Sequence, residues 1–194
     1  MELRVLFVVL AMSTASWWTL GLTFFTRWTE PGTENPAHVA LAKELNLSPH
    51  PEGGYFLETY RSSTTVSTPA GPRSASTAIL FLVTPENVSR MHRINSDEIW
   101  HFYRGSPLTV VEVQEDGSVR TTLLSQTNSQ YVVRSGTWFG SYTSGPEYSL
   151  VGCTVAPGFD FADFELGSRE ALLAACPPED STSRELILRL TKGL

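Results

Sequence analysis

The sequence is poor in cysteine, with two thiols, Cys153 and Cys176, in 194 residues. They have neither CxxC spacing nor the density of a small secreted scaffold, which excludes a disulfide framework as the source of the fold. Cys153 lies in the apolar run Leu150-Val151-Gly152-Cys153-Thr154-Val155 and reads as a small buried hydrophobe. A bridge to Cys176 stays open for an exported chain. Runs of Lys or Arg are also missing, and a formal net charge of −6 gives no pull toward phosphate backbones, so nucleic acid is not an expected partner. The third absence is local: no charged residue occurs from Val5 to Phe25, between Arg4 and Arg27. Such a stretch either feeds a secretion machinery or spans a bilayer. Residues 1–26 are therefore expected to be a signal peptide or a membrane anchor. A cleaved signal would use Val5 to Ala11 and the small residues Ser13-Thr14-Ala15, and an anchor would use the whole run with Trp17 and Trp18. The expected location is the secretory pathway, secreted or anchored, with organelle targeting as a third option and membrane contact confined to residues 5–25.

What is present is enough apolar material for one packed domain, at 41% hydrophobic and 11% aromatic. Residues 27–36 read as a linker, and residues 37–194 as that domain. Asn35-Pro36 is a cap followed by a proline at the first helical position, opening a short helix through Val39, Leu41 and Leu45. The pattern then turns to β. Tyr55–Tyr60, Thr77–Thr84, Glu98–Tyr103, Leu108–Gln114, Arg120–Leu124, Tyr131–Val133 and Tyr148–Val155 are short aromatic and β-branched runs separated by Gly, Pro, Asn and Asp. Asp116-Gly117 marks a hairpin. Many short strands at close spacing predict an all-β sandwich or barrel. Ser168–Ala175 and Ser181–Leu190, parted by Pro177-Pro178, predict two C-terminal helices.

Ser89–Gly105 reads SRMHRINSDEIWHFYRG. It resembles the first motif of the cupins, with His92, Glu98 and Gly105 in register and Ile94 where a second His belongs. Val133–Phe139, VRSGTWF, resembles the second motif, with Gly136 in place and Phe139 where its metal-binding His would fall. HPEGGYFLETYRS at His50–Ser62, GCTVAPGFDFADFELGSR at Gly152–Arg169 and the final ILRLT complete a resemblance to the cupin family DUF985 over roughly Val39–Thr191. The resemblance implies a double-stranded β-helix, a jelly-roll barrel of the RmlC-like kind, commonly paired as a homodimer. It implies no particular reaction.

If Glu98 points into the barrel, alternation puts Trp100 and Phe102 beside it and turns Ile99, His101 and Tyr103 outward. His92 and Glu98 are then the candidate catalytic residues, a histidine with a carboxylate partner serving as general base, or else a buried pair that only braces the barrel. They are also the surviving candidate metal ligands. Catalytic metals want three protein ligands, so no cofactor is expected, with a divalent metal possible. Tyr55, Trp100 and Trp138 are flat walls suited to a sugar or ring. GGYFLETY is similar to a strand of the nucleotide-deoxysugar epimerase cupins, and Arg90 precedes His92 as an Arg does there. That similarity adds Glu58 and Arg90 as substrate-binding candidates. The leading expectation is a metal-independent isomerase, epimerase or lyase for a small carbohydrate-like or acidic metabolite. A non-catalytic binding or storage cupin and a metal-dependent oxygenase or decarboxylase are the alternatives.

Overall fold

A computed structural model describes residues 34–193; the leader expected at residues 5–25 lies outside them. Among the described residues no helix is long and apolar enough to cross a membrane. The elements in chain order are α1 (Pro36–Glu44), β1 (Ser48–Pro49), β2 (Tyr55–Arg61), β3 (Thr65–Thr68), β4 (Gly71–Ser74), β5 (Thr77–Val83), β6 (Ser89–Arg93), β7 (Asp97–Gly105) and β8 (Leu108–Val113). There follow β9 (Val119–Leu124), β10 (Gln130–Val133), β11 (Phe139–Thr143), β12 (Ser149–Ala156), β13 (Glu165–Leu166), α2 (Arg169–Ala175) and α3 (Ser181–Leu190).

Two antiparallel sheets face each other, one of six strands in the order β1-β2-β5-β12-β7-β10 and one of five in the order β13-β6-β11-β8-β9, with β3-β4 as a separate hairpin. This is the expected jelly roll. Its core lies between the sheets, where Phe81, Trp100, Phe102 and Val151 of the first meet Leu108, Val110 and Phe139 of the second. β7 alternates as expected, with Glu98, Trp100 and Phe102 buried and Tyr103 exposed. β8 does not alternate, because α2 and α3 cover the outer face of its sheet. Val110 packs in the core while Val111 packs outward with Met91, Leu172, Ile187 and Leu190. A third cluster, Tyr55, Leu82 and Leu150 with Ala42 of α1, covers part of the outer face of the first sheet.

Helix starts follow the sequence signals. Asn35 accepts from the Ala37 backbone N–H at 3.0 Å ahead of Pro36, Ser168 caps α2 and Asp180 caps α3, each cap contributing about 1 kcal/mol. Cys153 and Cys176 are both free and buried, in different apolar clusters. The bridge that export would have permitted is therefore not formed.

Candidate functional site

Strand register brings the inward side chains of the first sheet into rows: Thr77, Val155 and Glu98, then Ile79, Cys153 and Trp100, then Phe81, Val151 and Phe102. Over the first rows, toward one end of the barrel, lies a cavity of about 260 Å³. His92 reaches it from the opposite sheet, and His50 and Glu52 reach it from the loop between β1 and β2. That loop can tuck inward because Gly53 takes φ of 104° against the Val88 carbonyl, where any Cβ would lie 2.1 Å from the oxygen.

His92 is fixed at both ring nitrogens. Its Nδ1 lies 2.7 Å from the Arg90 carbonyl, which can only accept, so Nδ1 carries a hydrogen and Nε2 is left facing Glu52 Oε2 at 3.3 Å. Ser89 Oγ donates to the other Glu52 oxygen at 2.8 Å. His50 Nδ1 lies 3.3 Å from both Glu52 Oε2 and the Glu52 backbone nitrogen. It can therefore accept a backbone N–H when neutral and donate to the carboxylate when protonated. Burial works to raise the Glu52 pKa, but the two imidazoles and Ser89 outweigh it and hold the carboxyl at about 2. Burial pushes His92 downward, against the opposing pull of Glu52 and the Arg90 carbonyl.

Glu98 is the reverse case. Burial, and then the negative charge on Glu52, push it up to about 8, with the Cys153 thiol as its hydrogen-bonding neighbour. The same burial raises the Cys153 thiol well above its ordinary range. One cavity thus holds a carboxylate that stays ionised and a carboxylic acid that stays protonated at neutral pH. A pair of acids driven apart in this way is the usual mark of separate acid and base roles.

The Cupin superfamily (DUF985) family model matches residues 39–167. The chain belongs to this family. An uncharacterised Saccharomyces cerevisiae protein, YML079W, is 31% identical over 155 residues, 69% of this chain and 77% of the yeast protein. A solved structure of a hypothetical protein from Leishmania major is 35% identical with a TM-score of 0.68, over 76% of this chain and 96% of that one. Protein SO0799 from Shewanella oneidensis is 37% identical with the same TM-score, over 78% and 94%. These likenesses establish family and fold, and the chemistry rests on the cavity's own side chains.

In this DUF985 cupin two of the positions where the sequence resemblance places metal-binding imidazoles, Ile94 and Phe139, are hydrocarbon, and His92 alone keeps one. Ile94 lines the cavity, and the Phe139 ring packs 4.1 Å from that of His92. With Ile94 and Phe139 supplying no donor and the neighbouring Glu98 held protonated, the donors present do not fit a divalent cation, whose charge the apolar walls would also oppose. Among the described residues no group of three His, Cys, Asp or Glu side chains is arranged to hold a metal.

Of the residues singled out from sequence, His92, Glu98 and Glu58 line the cavity. His92 and Glu98 do not form the expected pair: the carboxylate beside His92 is Glu52, and the two named residues face the cavity from opposite sheets. The other four lie elsewhere. Tyr55 points away from the lumen into the α1 cluster and donates to Glu34, while its neighbour Phe56 lines the cavity. Trp138 packs among the outer apolar residues under Arg93, 4.5 Å above its ring, and the inward position belongs to Phe139. For Tyr55 the strand was identified and its facing was off by one residue, whereas Trp138 sits just before β11, a strand the sequence pattern did not mark. Trp100 fills the core below the cavity, edge-on to Phe81 at 6.0 Å. Arg90 donates through Nε to the Glu52 carbonyl at 3.1 Å and through a terminal nitrogen to the Pro51 carbonyl, bracing the loop that carries Glu52. His101, on the outward face, is bonded to Thr154 and Gln130.

Sequence reasoning missed His50, Glu52 and Arg61. A bulge after Glu58 shifts the register of β2, so that Arg61 joins Phe56 and Glu58 on the cavity side and Tyr60 is exposed. The segment after β12 closes the mouth. Phe161 stacks on His50 at 5.9 Å, and Phe159 and Phe164 pack against both rings. The segment is pinned by Arg73, which donates to both oxygens of Asp163 at 2.7 and 2.9 Å.

Proposed function

We propose that this DUF985 cupin is a metal-independent proton-transfer enzyme, an isomerase, epimerase or lyase acting on a small metabolite held in the cavity. The observation that carries the reading is the placement of two buried carboxyls around one mostly apolar space, Glu52 between two imidazoles and Ser89, Glu98 beside a thiol and hydrocarbon, which drives their ionisation apart. His92 Nε2 is the general base. Its tautomer is set by the Arg90 carbonyl, and the imidazolium formed on proton capture is stabilised by ionised Glu52. Glu98 is the general acid, supplying a proton to an oxygen of the substrate as charge develops there. His50, which faces the same Glu52 oxygen and stacks under half-exposed Phe161, is a positioning residue and an outlet by which the captured proton exchanges with solvent. A cavity of about 260 Å³ lies at the small end of ligand sites and suits the reacting part of a small metabolite.

The test is solvent-proton exchange. The protein is incubated in D₂O with a panel of small metabolites, and deuterium uptake at carbon is followed by NMR. The expected result is uptake into one class of compound that His92→Gln lowers by about 10²-fold or more while that compound still binds. Binding without any exchange above the His92→Gln level would instead favour a non-catalytic binding cupin.

A further inference from the structure

We propose that the ligand of this cavity is an uncharged, single-ring carbonyl compound, its ring held among Phe56, Phe81, Phe159 and Phe161 and its carbonyl oxygen directed at Glu98. The inference rests on the proton-transfer reading and deepens it. The walls of the cavity are phenyl rings with Ile79, Ile94 and Val155 between them, surfaces that favour an apolar, flat body over a heavily hydroxylated one. Its buried acid and base groups are Glu98 and Cys153 of the first sheet and the His92–Glu52–His50 cluster, with Glu58, Arg61 and Asp160 exposed at the rim. Arg61 is the sole guanidinium or ammonium group among the described lining residues, and it is already engaged. It donates to both oxygens of Glu58 at 2.9 and 2.6 Å and to the Phe159 carbonyl at 3.1 Å. Asp160 adds a further negative charge at the mouth. A carboxylate or phosphate would therefore meet buried Glu52 inside the cavity and exposed Glu58 and Asp160 at its rim, with the rim guanidinium already paired to Glu58, an arrangement that selects against anions. The acidic metabolites considered from sequence are accordingly set aside.

Glu98, buried in the cavity wall and protonated, offers an O–H to a ligand inside, and a neutral carbonyl oxygen is the acceptor that answers it. In the step that follows, the C–H bond next to the carbonyl breaks and its proton goes to His92 Nε2. The electron pair forms a C=C bond, and the carbonyl π pair moves to oxygen, which takes the Glu98 proton. The products are a neutral enol, a Glu98 carboxylate, and an imidazolium beside Glu52. Return of both protons regenerates the ketone, at the same carbon or, in a conjugated system, at the vinylogous one, with no oxidant or reductant needed.

Cyclohexanone and cyclohexanecarboxylate, matched in ring and differing in charge, are the probes, with binding followed by ligand-observed NMR at pH 7. The ketone is expected to bind about tenfold more tightly than the carboxylate. Glu98→Met, which removes the donor at similar volume, should weaken the ketone about tenfold, whereas Glu98→Gln, which keeps an N–H, should stay within about threefold. Glu58→Gln, by releasing Arg61, should raise carboxylate affinity about threefold or more. Preference for the carboxylate, equal ketone binding by Glu98→Met and Glu98→Gln, or no ketone binding at millimolar concentration would overturn the inference. The two claims separate. His92-dependent deuterium uptake confined to an anionic or hydroxylated metabolite would sink the ligand class and leave the proton-transfer reading standing. Glu98-dependent ketone binding with no His92-dependent uptake would do the opposite.

Discussion

Glu52 and Glu98 are the same side chain in one cavity, and their surroundings set them apart. Glu52 has two imidazoles and a serine hydroxyl within 3.3 Å; Glu98 has a thiol and hydrocarbon. The consequence for stability has a definite sign. Between about 4.5 and about 8 the folded chain keeps a proton on Glu98 that the unfolded chain has released, so this group makes stability fall as pH rises through that window. Glu98→Gln removes the effect. The variant should match the parent near pH 4.5 and exceed it by on the order of 3–5 kcal/mol at pH 8, read from chemical denaturation at a series of pH values. A difference that does not change with pH would contradict it. Glu52 acts in the other direction, contributing stability above 4.5 that is lost as pH falls toward 2. The double contrast was not legible in the sequence. His50 and Glu52 stand in plain view in HPEGGY, but only the two following glycines, one of them pressed against Val88, bend the chain enough to bring them to His92.

At the scale of elements, sequence pattern recovered the strands whose composition is aromatic and β-branched, among them β2, β5, β7 and β12, and both C-terminal helices. It missed β6 and β11, SRMHR and FGSYT, because polar and glycine-rich strands look like loops until their partners are known. Facing was the weaker inference. Alternation gave β7 correctly, yet a one-residue facing error at Tyr55 in β2 placed that ring outside the barrel, Trp138 before the unmarked β11 lies outside it too, and the bulge in β2 that delivers Arg61 follows from pairing with β5 rather than from local sequence. The Phe159–Phe164 segment carries its own prediction. The Arg73–Asp163 clasp has little side-chain exposure, so Asp163→Ala should lower stability and loosen the mouth without disturbing the sheets. Hydrogen exchange should speed up across residues 157–166 and stay unchanged in β5 and β12. Loss of protection spreading through those strands would show that the segment is part of the core instead of a cover over it.

At the scale of the molecule, the jelly roll holds an acid and a base apart: His92 comes from one sheet, Glu98 from the other, and the packed core beneath them, centred on Trp100, Phe81 and Phe139, keeps both fixed. The cupin likeness of the Ser89–Gly105 block conveyed this frame and the position of both residues. It did not convey what Ile94 and Phe139 leave behind, which is a site whose polarity comes from a loop outside the motif. The central claim is that one cavity keeps Glu52 ionised and Glu98 protonated at neutral pH. The most direct measurement is the titration of side-chain carboxyl ¹³C resonances in the protein, with Glu52→Gln and Glu98→Gln used to assign the two signals. The account predicts a Glu98 midpoint near 8 and a Glu52 signal that stays ionised down to about 2. Both groups titrating together in the ordinary range near 4.5, or Glu98 ionised at pH 7, would contradict it.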